Sequence, residues 1–189
     1  MGASRDALIA RYTSVPMRSI TLITTGGTIE KTYDETSGNL ENRRSIVRRM
    51  LRRLRLEGTA VNIIELMSKD SQYMTDADRA RIVEAVRVAG GDSTIVTEAS
   101  GIVILHGTDT LENTGEQLYR EIKSPRVPIV LTGAMRPFEM TRSDALQNLT
   151  EAIFATGTLG PGVWCVSHGR ALAFPGVKKD REHWTFVKA

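Results

Sequence analysis

The stretch SITLITTGGTIEKTY, residues 19–33, decides the fold. Its first seven residues, Ser19 to Thr25, are uncharged and rich in β-branched side chains and leucine, and they stop at Gly26-Gly27. Such side chains suit a buried pleated strand, and paired glycines suit a sharp turn at its end. The glycines can be read as cradling a phosphate, as simply ending a strand, or as clearing space so that Thr28 is presented for chemistry. The phosphate reading is the weakest. The pattern is neither G-x-G-x-x-G nor G-x-x-x-x-G-K-[ST], and the residues up to Glu41 read as a loop, not as a helix whose amides would hold an anion. A loop of about 15 residues with no structure of its own points to function, since such loops tend to be lids or disordered segments.

Further along the chain the same scheme repeats. Ala60–Leu66, Gly101–Leu105, Val127–Leu131 and Val163–Val166 are apolar, strand-like runs. Between them lie helical patterns. Residues 42–56 place Ile46, Val47, Met50, Leu51 and Leu54 on one face, with seven arginines (43, 44, 48, 49, 52, 53 and 55) on the others. Thr75 with Asp78 imitates a capping box that opens a helix through Ile82, Val83 and Val86, and Gly90-Gly91 interrupts it. Two more helices are expected over residues 111–122 and 143–155. GDSTIVTEAS, residues 91–100, reads equally as a short exposed strand or an irregular insertion. Apolar strands alternating with amphipathic helices predict a single α/β domain: three layers, doubly wound, around a mainly parallel sheet. In such sheets ligands bind beyond the carboxyl ends of the strands, here occupied by TTGGT, SKDSQ, HGTDT and TGAMRP.

Bulk properties bound the function. With 189 residues, 41% hydrophobic, 25% charged and 5% aromatic, the chain is sized and composed for one globular domain. No run approaches the ~18 apolar residues of a membrane span, so no membrane partner is expected. Residues 1–16 read as an N-terminal extension and residues 17–189 as the domain. Cys165 is the single cysteine, in an apolar run, which predicts a buried inert thiol, no internal disulfide and a cytoplasmic setting. The net charge of +3 neither requires nor excludes an acidic partner. Nucleic-acid binding through the arginine helix is the alternative to a solvated helix face. The solvated face is preferred, because the apolar stripe is complete and no aromatics are interleaved.

A threonine hydroxyl is a poor nucleophile until a neighbour takes its proton or stabilises the alkoxide. HGTDT supplies the best partner loop: Thr108 as a hydroxyl relay and Asp109 to orient a small polar ligand, although an isolated Asp after a strand commonly serves as a helix N-cap. Lys178 and Lys179 stand together beyond the last apolar run, and a buried lysine can act as a base. Taken alone, the pair reads as surface charge. His106, His168 and His183 lack metal-ligand spacing, and no G-x-S-x-G elbow is present.

Together, TTGGTIEKT, DSQYM, HGTDT and GAMRP, in this order and on these strand ends, resemble the bacterial L-asparaginase and glutaminase-asparaginase family, whose nucleophile is a threonine. The resemblance covers most of residues 19–179 and implies roles for individual residues. Thr28 matches the primary nucleophile and Tyr33 the tyrosine of the flexible lid. Ser71 and Gln72 match residues that hold the α-carboxylate and backbone end of the substrate. Thr108 matches the second threonine and Asp109 the aspartate that binds the α-amino group. The tail LAFPGVKK resembles the stretch with the active-site lysine, with Lys179 favoured over Lys178, so that Thr108, Asp109 and Lys179 form a second triad. The implied reaction is hydrolysis of L-asparagine to L-aspartate and ammonia through an acyl-enzyme, with no metal or organic cofactor. The chain resembles the short form known from purple bacteria, without the family's smaller C-terminal domain, and a homo-oligomer is expected to complete the site. A catalytically weak asparagine-binding or regulatory domain is the runner-up.

Overall fold

A computed structural model describes residues 17–189; the extension read over residues 1–16 lies outside the described residues. Six strands form the main sheet: β1 (Arg18–Gly26), β4 (Thr59–Lys69), β5 (Ala99–Leu105), β6 (Pro128–Thr132), β7 (Gly162–Ser167) and β8 (Arg170–Ala173). Their spatial order is β4-β1-β5-β6-β7-β8, parallel throughout except for β8, which returns antiparallel on β7. The expected α/β class, parallel sheet and single domain therefore hold. Two small antiparallel hairpins complete the strands, β2 (Thr32–Asp34) with β3 (Asn39–Glu41), and β9 (Val177–Asp180) with β10 (Thr185–Lys188).

Strand alternation sorts the apolar runs onto two faces. Ile23, Ile102, Ile104, Ile129 and Leu131 meet Ile82, Val83 and Val86 of α2 (Asp76–Val88) and Leu111 and Leu118 of α3 (Leu111–Glu121). Ile20, Leu22, Val103, Leu105 and Val130 meet Val47 and Met50 of α1 (Val47–Leu51) and Leu149, Ala152 and Ile153 of α4 (Ala145–Ala155). Because both faces are covered, strands β1, β5 and β6 are buried almost continuously and not on alternate residues.

The topology fixes where a ligand fits. From β1 the chain crosses through α1 to β4 on one side, whereas from β5 it crosses through α3 to β6 on the other. The loops leaving β1 and β5 therefore diverge and leave a crevice between adjacent strand ends.

Two local expectations are corrected, and the open reading of residues 91–98 resolves as irregular chain. The loop after Glu30 is not structureless: β2 and β3 pair through a turn that Asp34 pins by accepting the Thr36 and Ser37 N–H groups at 3.2 Å. The arginine helix shrinks from residues 42–56 to Val47–Leu51, because Asn42 and Ser45 are bonded back to the β1 turn and Arg52 to Leu54 continue only as turns. Residues 91–98 form no named strand; Asp92 makes one isolated bridge with Pro125. The capping box at Thr75 and Asp78 is present as read.

Candidate active site

Gly26 and Gly27 hold φ of 94° and 79°, the left-handed region that side chains avoid. Space demands glycine as well: a Cβ on Gly26 would overlap the Lys69 backbone, and one on Gly27 the Gly107 backbone. The turn after β1 is thus wedged between the ends of β4 and β5. Gly27 N–H donates to the Lys69 carbonyl at 2.9 Å, and the Thr25 hydroxyl to the Leu105 carbonyl at 2.8 Å. Thr28 opens a 3-10 turn, Thr28–Glu30, half-buried at the mouth of the crevice. Lys31 pairs with Asp70 at 2.8 Å and fastens this loop to the one after β4.

Ser71 and Gln72 form a second 3-10 turn, Ser71–Tyr73, capped by the Asp70 carboxylate, which accepts the Gln72 N–H. The Ser71 hydroxyl is buried against Gly107 and has no hydrogen-bond partner among the described residues. An unspent buried hydroxyl costs about 1 to 3 kcal/mol, which a ligand accepting or donating there would recover. Gln72 Nε2 donates to Asp109 Oδ2 at 2.8 Å.

The loop after β5 carries the densest charge. Lys179 Nζ donates to Thr108 Oγ1 and to Asp109 Oδ1, both at 2.8 Å. Burial alone would raise the Asp109 carboxyl, but hydrogen bonds from Lys179 and Gln72 and the charges of Lys179 and Arg181 hold it below the usual carboxylate range. The side chain of Lys179 is 5% exposed, whereas that of Lys178 is 58% exposed and leans toward Glu112 at 3.8 Å. Alternation along β9 makes that choice, turning one lysine inward and the other out. Below the loop, His106 is fully buried, with Nδ1 on the Gly107 carbonyl and Nε2 on Thr114 Oγ1, both at 2.8 Å. Burial pushes its pKa down to about 4, so the imidazole is neutral and orients the loop.

Tyr33 stands apart. It lies on β2, 58% exposed, and no hydrogen bond joins it to Thr28. Its N–H donates at 3.0 Å to Glu139, which also holds Arg49. GAMRP acts behind this: Asp144 accepts the Met135 and Arg136 N–H groups, and Phe138 N–H reaches the Ile29 carbonyl at 3.4 Å, so the loop after β6 buttresses the Thr28 turn. Sequence alone does not single out Arg181 on Asp109, Glu139 on Tyr33 or Glu30 under Thr28. Each is an ordinary charged residue until the fold brings a distant partner to it.

The geometry brings Thr108, Asp109, Lys179, Ser71 and Gln72 into one cluster, with the Thr28 turn wedged beside it. Comparison with known sequences decides the affiliation: the family profile "Asparaginase, N-terminal" matches residues 19–184. The chain belongs to the asparaginase family. It is 32% identical over 140 residues to an L-asparaginase of Thermococcus kodakarensis, an alignment covering 74% of this chain and 41% of that protein. It is 31% identical over 160 residues to a subunit of the glutamyl-tRNA(Gln) amidotransferase of Methanococcus vannielii, covering 81% of this chain and 35% of that one. Among solved structures, the thermostable L-asparaginase from T. kodakarensis superposes with a TM-score of 0.76 at 30% identity, over 85% of this chain and 47% of the other. The chain thus spans less than half the length of these relatives. Among the described residues no helix is long and apolar enough to cross a membrane.

Proposed function

We propose that residues 17–189 form an asparaginase domain that hydrolyses L-asparagine to L-aspartate and ammonia, with Thr28 as nucleophile. The cluster of Lys179, Thr108 and Asp109 beside the Thr28 turn carries this reading, because it supplies the proton-handling groups that a threonine needs. Thr28 Oγ attacks the side-chain amide carbon as its proton passes to the departing nitrogen. The tetrahedral adduct expels ammonia and leaves an aspartyl ester on Thr28. Water, positioned by Thr108 and Lys179, attacks the ester carbon and returns the proton to Thr28 as aspartate leaves. The ionised Asp109 meets the substrate α-ammonium, while the free Ser71 hydroxyl and Gln72 meet the α-carboxylate. Donors at the Thr108 loop stabilise the developing oxyanion, and closure of the hairpin that carries Tyr33 excludes water.

The same reading places the protein in the cytoplasm, where the buried Cys165 stays reduced, and expects a homo-oligomer whose neighbour covers the open site. The likeness to the glutamyl-tRNA(Gln) amidotransferase favours a second reading, in which the same amide cleavage serves an acceptor other than water. Ammonia release from L-asparagine, L-glutamine and D-asparagine by the purified chain tests the proposal. Saturable release from L-asparagine is expected. Binding without release leaves the asparagine-binding domain as the reading, and the absence of both binding and release would contradict the family's chemistry in this chain.

A further inference from the structure

The turn that presents Thr28 is closed by a carboxylate that the reaction above does not use. Glu30 ends the 3-10 turn, two residues beyond Thr28, and is 1% exposed. Its Oε2 accepts the Gly26 N–H at 3.2 Å, closing a loop from Gly26 to Glu30 with Thr28 at its middle. Its Oε1 accepts the hydroxyl of Ser45. No ion pair neutralises it among the described residues, and burial, aided by the nearby Glu65 charge, raises its pKa despite hydrogen bonds from Ser45, Gly26 and Ile46. A lone buried carboxyl is expensive to keep, so its bonds to Gly26 and Ser45 define what it contributes here.

Those bonds fasten two segments to each other. Gly26 starts the Gly-Gly turn. Ser45 belongs to the segment leaving the β2–β3 hairpin, and from the same segment Asn42 Nδ2 donates to the Gly27 carbonyl at 2.8 Å. The chain enters the hairpin immediately after Glu30 and leaves it at Asn42, so both ends of the hairpin are tied to the turn that carries Thr28.

We propose, resting on the reading of Thr28 as nucleophile, that Glu30 is a positioning residue: it sets the Gly26–Thr28 turn in attack geometry and anchors the base of the hairpin that carries Tyr33. It touches neither substrate nor reacting atoms. A displacement of about 1 Å at a reacting group costs about a hundredfold in rate, which sets the scale of the effect.

The test compares Glu30→Ala, Glu30→Gln and Ser45→Ala by steady-state ammonia release and by amide hydrogen exchange over residues 26–30. Glu30→Ala is expected to lose about ten- to a hundredfold in kcat with KM changed less than about threefold, and to exchange faster at Gly26. Glu30→Gln keeps an oxygen for the Gly26 N–H and a donor for Ser45, and is expected to restore both readouts to within about threefold of the parent. If Glu30→Ala does not fold, Ser45→Ala is decisive, since it leaves the carboxyl and removes its bond from Ser45, along with the bond that Ser45 Oγ accepts from the Val47 N–H at 3.3 Å: faster exchange at Gly26 with a several-fold lower kcat supports the role, and parental values overturn it. Parental kcat and exchange in folded Glu30→Ala, or a Glu30→Gln variant as damaged as Glu30→Ala, overturns it as well. A parent protein that releases no ammonia refutes the nucleophile, while the exchange data still decide whether Glu30 holds the turn.

Discussion

Replacing Lys179 by Met keeps the length and apolar stem of the side chain and removes one charge with two hydrogen bonds, to Thr108 and Asp109. Breaking a fully buried ion pair costs about 3 to 5 kcal/mol. That figure is too large here. Asp109 keeps 23% of its side chain in water, and Gln72 at 2.8 Å and Arg181 at 3.1 Å remain as donors. A loss of about 2 kcal/mol is therefore expected, which lowers Tm by about 4 to 8 °C for a domain of this size. On the proposed mechanism activity should fall much further, by about a hundred- to ten-thousandfold in kcat, because the group that acts with Thr108 in positioning water and handling protons is gone. Urea denaturation reads the first effect and ammonia release under saturating L-asparagine the second. The matched Lys178→Met variant should change neither, since that lysine points to solvent. A Lys179→Met protein within threefold of the parental kcat would refute the role assigned to the cluster.

Other consequences follow from the same structure. His106 is held near pKa 4 against an ordinary 6.5, so its contribution to stability is fully present above pH 6.5 and is lost as pH falls toward 4. The loss amounts to about 3 kcal/mol at 1.36 kcal/mol per pKa unit, and urea unfolding of the parent and of His106→Gln between pH 4 and 7 should show the steeper slope in the parent. Gly27→Ala must adopt a left-handed φ and overlap the Gly107 backbone, so a stability loss of about 3 kcal/mol or more is expected in the same unfolding assay. Burial pushes the Cys165 thiol up to about 12, so iodoacetamide at pH 8 should label the denatured chain and leave the native one unmodified by mass spectrometry.

Much of this architecture is legible in the sequence because burial on both faces leaves a parallel strand as an uncharged run rich in β-branched and leucine side chains. Ser19 to Thr25, Gly101 to Leu105 and Val127 to Leu131 can be read directly, and with them the loops that their carboxyl ends carry. Thr28, Thr108 and Asp109 are therefore placed at strand ends by sequence alone. The β2–β3 hairpin is not legible, since each strand is only three residues long, its apolar residues Tyr33 and Leu40 stay exposed, and its turn is held by the Asp34 side chain. The arginine segment misleads through periodicity: Ile46 to Leu54 keep helical spacing, yet Asn42 and Ser45 are spent on the Thr28 turn and the helix begins late. Lys179 can be preferred over Lys178 only by resemblance until the inward face of β9 is known. Glu30 carries no local signal, because the partner that explains it stands fifteen residues away.

The most direct measurement is ammonia release from L-asparagine by Thr28→Ala, with circular dichroism and Tm confirming that the fold is retained. Thr28 is half-buried and no hydrogen bond joins its hydroxyl to another described residue, so the substitution should leave stability within about 1 kcal/mol. A nucleophilic Thr28 requires a fall of at least about a thousandfold in kcat, with the parent forming a transient adduct of aspartyl mass on Thr28. A folded Thr28→Ala protein that releases ammonia at the parental rate would contradict that role.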